Sequence, residues 1–191
     1  MSGKFDLDSV QSRLTRVIPV LRSEDLPVAG VAVIIDPTDR GGSILLIRRR
    51  ELKGDPWSGQ IAFPGGRMST SDRDLLETAM REAKEEVGVQ LKDHQLLGHL
   101  PLTETRSRRM RVLPSAFQLK STVVLRSNVE VAETFWVPLA DFEKLEIKNS
   151  EVKVDDGTLR VPSYEYEGHV IWGLTFRILN LLLNRKTPRD L

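Results

Sequence analysis

The feature that most constrains this chain is the stretch 65–89, GGRMSTSDRDLLETAMREAKEEVGV. Near its end Glu82, Glu85 and Glu86 stand at i, i+3 and i+4, so on a helix they share one face. Like charges packed that way repel and weaken an isolated helix. A cation between them removes the penalty, and clustered carboxylate oxygens suit a hard divalent ion such as Mg2+ or Mn2+. The competing reading is a solvated face neutralised by Arg81 and Lys84. Leu75, Leu76, Ala79, Met80, Ala83 and Val87 form an apolar stripe at helical spacing, so the opposite side can dock on a core.

Local signals place the ends of this helix. Ser71 or Asp72 reads as the N-cap, Asp74 adds negative charge to the first turn, and Gly88 reads as the C-cap. The expected helix therefore runs from about Asp72 to Val87. Arg81 lies four residues from both Glu77 and Glu85, near enough to orient either. The preceding loop, Phe63-Pro64-Gly65-Gly66-Arg67, is stiff at the proline and permissive at the glycines. Backbone there can come close to a ligand or to the carboxylates.

Glycine loop, capped helix, Arg-Glu-x-x-Glu-Glu and terminal glycine, in that order, resemble the signature box of the Nudix hydrolases. The family's commonest spacing puts a Glu eight residues before the Arg, where this chain has Arg73. Asp72 is the nearest acid, and the coenzyme A pyrophosphatase-like branch has a similar Asp. Upstream, Arg50, Gly59, Phe63, Pro64, Gly65 and Gly66 match that branch's pattern. Asp55 stands where its strict form has arginine, Glu51 where it has a small residue, and Arg48 where it has threonine. Near the C-terminus, Tyr164-Glu165-Tyr166 and Ile171-Trp172-Gly173-Leu174-Thr175 also resemble the branch, so the similarity spans about residues 28 to 182.

The resemblance implies an α/β (α+β) fold, a Nudix-type α/β/α sandwich with a mixed central β-sheet. It implies Glu82, Glu85 and Glu86 as metal ligands for Mg2+ or Mn2+, and Glu85 or Glu86 as the catalytic base. Glu130 and Glu133 are outside candidates for the base, with an ordinary surface acid as the alternative for each. Arg50 and Arg67 flank the glycine loop, and their planar forks suit a diphosphate, so with Gly65 and Gly66 they form the expected substrate-binding set. Arg81 and Asp72 are the expected structural support. The basic loop Arg106, Arg108, Arg109 and Arg111 could meet an anionic substrate or simply be solvated. Trp57, in the loop before Phe63, could stack on a base or belong to the core, and Trp136 and Trp172 read as core residues. His94, His99 and His169 lack metal-ligand spacing and read as structural.

The implied reaction is hydrolysis of a diphosphate linkage in a nucleoside diphosphate derivative. Coenzyme A or its derivatives lead, with ADP-ribose, a dinucleotide or a nucleoside triphosphate as alternatives. A non-catalytic nucleotide-binding module has no need to keep Glu82, Glu85 and Glu86 together.

Composition agrees with one enzyme domain. The 191 residues suffice for a substantial core, and a net charge of +1 argues against a nucleic-acid or membrane surface. Zero cysteines exclude disulfides, thiolate metal sites and a cysteine nucleophile. No leader pattern or spanning segment is evident, which points to a cytoplasmic protein acting on a small-molecule nucleotide, as a monomer or a homodimer. Residues 1–25 read as an N-terminal helical extension packed on a domain of residues 26–191. Leu7, Val10, Leu14 and Val17 predict a helix over 6–17. Strands are expected at 27–35, 43–49, 96–101, 111–119 and 133–138, a helical turn at 139–145, a hairpin over 150–168 around Asp155-Asp156-Gly157, and a helix over 169–184. Tyr164 and Tyr166 alternate along the hairpin, one of them facing inward.

Overall fold

The apolar run in VAGVAVIID cannot leave either face in water, so it belongs at the centre of a sheet. The computed structural model, which describes residues 10–19, 27–38, 41–55, 57–105, 109–154 and 157–186, puts it there as β1, Val28–Asp36. The other strands of this sheet are β2 (Ser43–Arg49), β3 (Ile61–Ala62), β4 (Gly65–Arg67), β5 (Gln95–His99), β6 (Thr103–Glu104), β7 (Arg111–Gln118) and β8 (Val131–Pro138). Its main path runs β3-β2-β1-β7-β5, with β4 on β1, β6 on β7 and β8 on β2. β1 pairs in parallel with β7 and antiparallel with β2 and β4, so the sheet is mixed.

Alternation along β1 and β2 sends side chains to two cores. Ala32, Ile34, Leu45 and Ile47 meet Ala79, Ala83 and Val87 of helix α1 (Leu75–Val87). Val31, Val33, Ile35, Ile44 and Leu46 meet the opposite layer, formed by α2 (Leu139–Lys144) and α3 (Gly173–Leu183). Helices on both faces of a mixed sheet make the expected sandwich. α1 sits close to β1 because Gly30 lacks a Cβ, which would run into the Leu75 carbonyl and come within 2.9 Å of the Ala79 nitrogen.

A second sheet of three strands, order β11-β10-β9, flanks this core. β9 is Lys148–Val154, β10 is Gly157–Tyr166 and β11 is His169–Trp172. The hairpin over 150–168 is therefore present, though Asp155 and Asp156 lie outside the described residues. Tyr164 is the tyrosine facing inward: it is fully buried and donates to Asn180 Oδ1 at 2.9 Å, tying β10 to α3. Tyr166, two residues along the same strand, is only partly buried.

Three expectations need correction. The helix over 169–184 starts four residues late, because His169–Trp172 pairs with Ser163–Tyr166 as β11. Glu167 and Gly168 both have positive φ, 47° and 84°, the geometry of a tight two-residue hairpin turn, and their Glu-Gly pair was the missed signal. The N-terminal helix does not reach Val17. Within the described part it ends at Gln11, a turn follows, and Thr15 pairs with His99. The open hydrogen-bonding edge of β5 takes that backbone, with Thr15 and His99 exchanging bonds of 2.9 and 2.7 Å. The cap of α1 is Asp74, accepting from the Glu77 N–H at 2.8 Å, and not Ser71 or Asp72. Gly88 ends the helix in the left-handed region, as expected.

Candidate active site

β4 and α1 lie side by side, which brings the glycine loop onto the acidic face of the helix. The Gly65 N–H donates to Glu86 Oε2 at 2.8 Å. At Gly66 a Cβ would stand 2.5 Å from the Glu82 carboxyl carbon, so a side chain there would displace that carboxylate from the loop. Glu86 is 2% exposed, and burial pushes its carboxyl up to about 7, against the opposing pull of the Gly65 hydrogen bond and of Arg49. Glu82, half-buried, is also raised, again chiefly by burial, with Arg81 opposing. Glu85 faces outward, its side chain 53% exposed.

Arg81 braces this face with every N–H it has. Nε and Nη2 grip Asp72 Oδ1 and Oδ2, each at 2.9 Å, and Nη2 also donates to the Arg67 carbonyl at 3.1 Å. Nη1 reaches Glu82 Oε1 at 2.7 Å and Glu85 Oε2 at 3.1 Å. Asp72 is buried and also accepts from the Ser69 N–H and the Thr78 hydroxyl. The Arg81 hydrogen bond holds its carboxyl below the usual range, with burial opposing. Asp72 thus lies before the helix and is clamped by the box arginine from a point one residue ahead of the usual Glu.

A cavity of about 900 Å³ opens beside these carboxylates. Gly65, Gly66, Arg67, Glu82, Glu85 and Glu86 line its acidic side. Arg67 lies over the Trp57 ring at 5.9 Å, and both border the cavity. Of the two outside acids, Glu130 lines the cavity, whereas Glu133 pairs with Arg48 at 3.1 Å and lies 3.5 Å from His169. Arg50 is not part of the lining: its Nε donates to the Val129 carbonyl at 2.6 Å and its Nη2 reaches the Val131 carbonyl at 3.5 Å. Arg109 pairs with Glu104, and neither it nor Arg111 borders the cavity; Arg106 and Arg108 lie outside the described residues. The three histidines act structurally: His99 bonds Ser115, His94 accepts from the Lys120 N–H, and His169 stacks on Phe135.

The residues that sequence reasoning missed are Arg49 on β2 and Val154, Leu159, Val161 and Arg177, which line the cavity together with Trp172 and Leu174 of the stretch that resembles the branch. A signal existed for Arg49. Ile47 faces α1, and the two-residue period of a strand puts Arg49, not Arg50, on the same side. Val154, Leu159, Val161 and Arg177 had none, because the apolar wall is assembled from β9, β10, β11 and α3 by long-range packing.

The carboxylate set suits a hard divalent cation. Glu86 is buried with one oxygen on a single N–H and the other 3.6 Å from Arg49 Nη1, and the absent Cβ of Gly66 lets the Glu82 carboxylate lie against the loop. Among the described residues no three acidic or histidine side chains already converge as a ligand group. Arg81 Nη1, bonded to both Glu82 and Glu85, occupies the space between those two.

A mixed sheet carrying a glycine loop against an acidic, arginine-braced helix defines a class of diphosphate-cleaving enzymes, and the sequence agrees: the NUDIX domain pattern matches residues 26–155, so this chain belongs to that family and is a Nudix hydrolase. Among its relatives is the Nudix hydrolase NudL of Photorhabdus laumondii, 38% identical over 141 residues, 72% of this chain and 74% of that one. The NudL of Citrobacter koseri is 29% identical over 190 residues, 95% of each chain. The fold is shared with an Ap4A hydrolase of C. elegans (TM-score 0.51, 20% identity, 62% of this chain and 85% of that one). It is shared too with a bifunctional NMN adenylyltransferase/ADP ribose pyrophosphatase of Francisella tularensis (TM-score 0.53, 15% identity, 86% and 42%).

Proposed function

We propose that this hydrolase cleaves the diphosphate of a nucleotide derivative whose remainder is long and partly apolar, with coenzyme A or its derivatives as the leading substrate. The observation that carries this reading is the mixed lining of the cavity. Glu82, Glu85, Glu86 and the glycine loop supply its charge, and Leu159, Val161, Trp172 and Leu174, from other elements, supply apolar surface. A compact triphosphate leaves such a wall without an occupant, whereas an apolar arm beyond the diphosphate covers it.

Glu82, Glu85 and Glu86 would hold Mg2+ or Mn2+. Bound there, the ion neutralises diphosphate oxygens, acts as a Lewis acid and makes a nearby water more acidic. The chain's own groups do the rest. Glu85, Glu86 and Glu130 border the same space as candidate acceptors for the proton of the attacking water. Arg67 offers its guanidinium to the phosphate oxygens, and Trp57 beneath it offers an aromatic face. Gly65 and Gly66 keep the loop thin enough for the diphosphate to reach the carboxylates.

Product analysis with Mg2+ or Mn2+ tests this. The panel holds coenzyme A, acetyl-coenzyme A, ADP-ribose, a dinucleotide and nucleoside triphosphates, with Glu86→Gln as control. Coenzyme A or its thioester should be cleaved well above the rest, yielding phosphopantetheine or its acylated form and a nucleoside 3',5'-bisphosphate. Preference for ADP-ribose or a dinucleotide would overturn the substrate and keep the chemistry. No metal-dependent turnover of any compound would overturn both.

A further inference from the structure

We propose that Arg49 is a diphosphate-binding residue of this cleft and that Asp55 is the positioning residue that holds its guanidinium there. This rests on the diphosphate reading above. Arg49 lines the cavity, with Nη1 3.6 Å from Glu86 Oε1 and Nη2 3.0 Å from Asp55 Oδ2. Asp55 is itself fixed. Its other carboxylate oxygen accepts the Trp57 N–H at 3.1 Å, and its backbone bonds Leu52 and Ser58 in successive turns. The loop before the glycines is thus folded around a carboxylate that grips one end of the Arg49 fork and leaves the other end toward the acidic face.

Two further observations point to an anion. Arg49 Nε is buried and lacks a hydrogen-bond partner among the described residues, although a guanidinium N–H shut away from water is normally satisfied. The neighbouring Arg50 is spent on the carbonyls of Val129 and Val131, so it does not fill this role. The aspartate at 55, where an arginine was expected, then makes sense. This chain carries its cation on β2 and uses position 55 to aim it. The Nη1 end of this planar fork, held at the cavity wall beside Glu86, meets phosphate oxygens with directed N–H groups, which a lysine there would do only as a point charge.

The test measures binding of α,β-methylene-ADP, a diphosphate whose bridge is not hydrolysed, to the full chain with saturating Mg2+ by calorimetry. Steady-state kinetics on the best natural substrate and thermal midpoints are measured in parallel. Arg49→Gln should weaken the analogue on the order of 10-fold or more, the loss expected for a charge-assisted fork. In kinetics it should raise KM more than it lowers kcat. Arg49→Lys should recover part of the affinity, and Asp55→Asn should weaken binding several-fold while leaving the charge at 49 in place. Arg48→Gln, on the Glu133 side and away from the cavity, serves as the control. If Arg49→Gln lowers kcat or the thermal midpoint and leaves analogue affinity unchanged, Arg49 serves only Glu86 or the fold, and the assignment is overturned. Should that variant fail to fold, unchanged affinity in both Arg49→Lys and Asp55→Asn overturns it equally. Metal-dependent turnover by the unaltered protein is a separate readout, so failure of the diphosphate reading is distinguishable from failure of this one.

Discussion

The acidic wall of the cleft and its apolar wall differ in how they are made. The acidic wall comes from one continuous segment, Gly65 to Glu86, a short strand, a loop and a helix. Its members are tied by direct bonds: Gly65 to Glu86, and Arg81 to Asp72, Glu82 and Glu85. The apolar wall comes from a separate sheet and the last helix, and all its described members except Val154 lie beyond the residues matched by the family pattern. Leu159 remains 49% exposed there, an apolar side chain left against open space. The acidic side is thus a hydrogen-bonded unit with its charges at fixed distances, which is what the proposed cleavage chemistry requires. The proposed choice of substrate needs only a surface of suitable character, and a surface built from other elements can change without disturbing the carboxylates.

Substitutions can break this contrast, beginning with the largest effect. Glu86→Gln should lower kcat by about 10²–10⁴-fold with the fold intact, the range for losing a positioned proton-transferring group. A loss below 10-fold would show that the acidic wall is not where the chemistry happens. Arg81→Ala strips the clamp from buried Asp72 and should cost about 1–3 kcal/mol in denaturant unfolding, the penalty for a buried polar group left unsatisfied. Because Asp72 is depressed in the folded state, that contribution is present above its ordinary value of 3.8 and disappears as pH falls through the lowered folded value. The variant and the unaltered protein should therefore converge in stability in acid.

Glu86 works in the opposite direction. Its carboxyl is raised from 4.5 to about 7, so the metal-free protein loses stability as pH climbs through that window, by about 3 kcal/mol if the whole shift is realised. Melting in EDTA from pH 5 to 8 should show a falling midpoint, and Glu86→Gln should flatten it. An equal slope in both proteins would remove Glu86 as the cause. Leu159→Ser should have the smallest effect. With the side chain already half in water, the midpoint should move little, and kcat/KM for the arm-bearing substrate should fall about 10-fold relative to a compact diphosphate. An equal change for both substrates would show that the two walls are not separable.

How much could be read from residues alone follows the same division. The helix, its acidic face, its terminal glycine and the close loop were legible because each rests on spacing within about one turn or one strand. The cap was misplaced by two residues because Asp72, an excellent capping type, was wanted elsewhere: it faces Arg81, a partner nine positions away. The helix over 169–184 was started too early because Val170 and Ile171 are apolar in either period, and pairing with β10 settled which one they follow. Arg50 was favoured over Arg49 by proximity to the glycine loop, although the alternation of β2 already separated their faces.

The sequence by itself therefore determined the family, its hydrolase class and the shared helix face of Glu82, Glu85 and Glu86, because these depend on local periodicity and on residue types with few chemical uses. Only the tertiary structure decided which arginine enters the cleft, that Glu130 and not Glu133 borders it, and that β9 to β11 with α3 close it with an apolar wall. Those outcomes depend on which strand edges pair and which faces bury each other, and such long-range contacts leave no fixed spacing along the chain to be read.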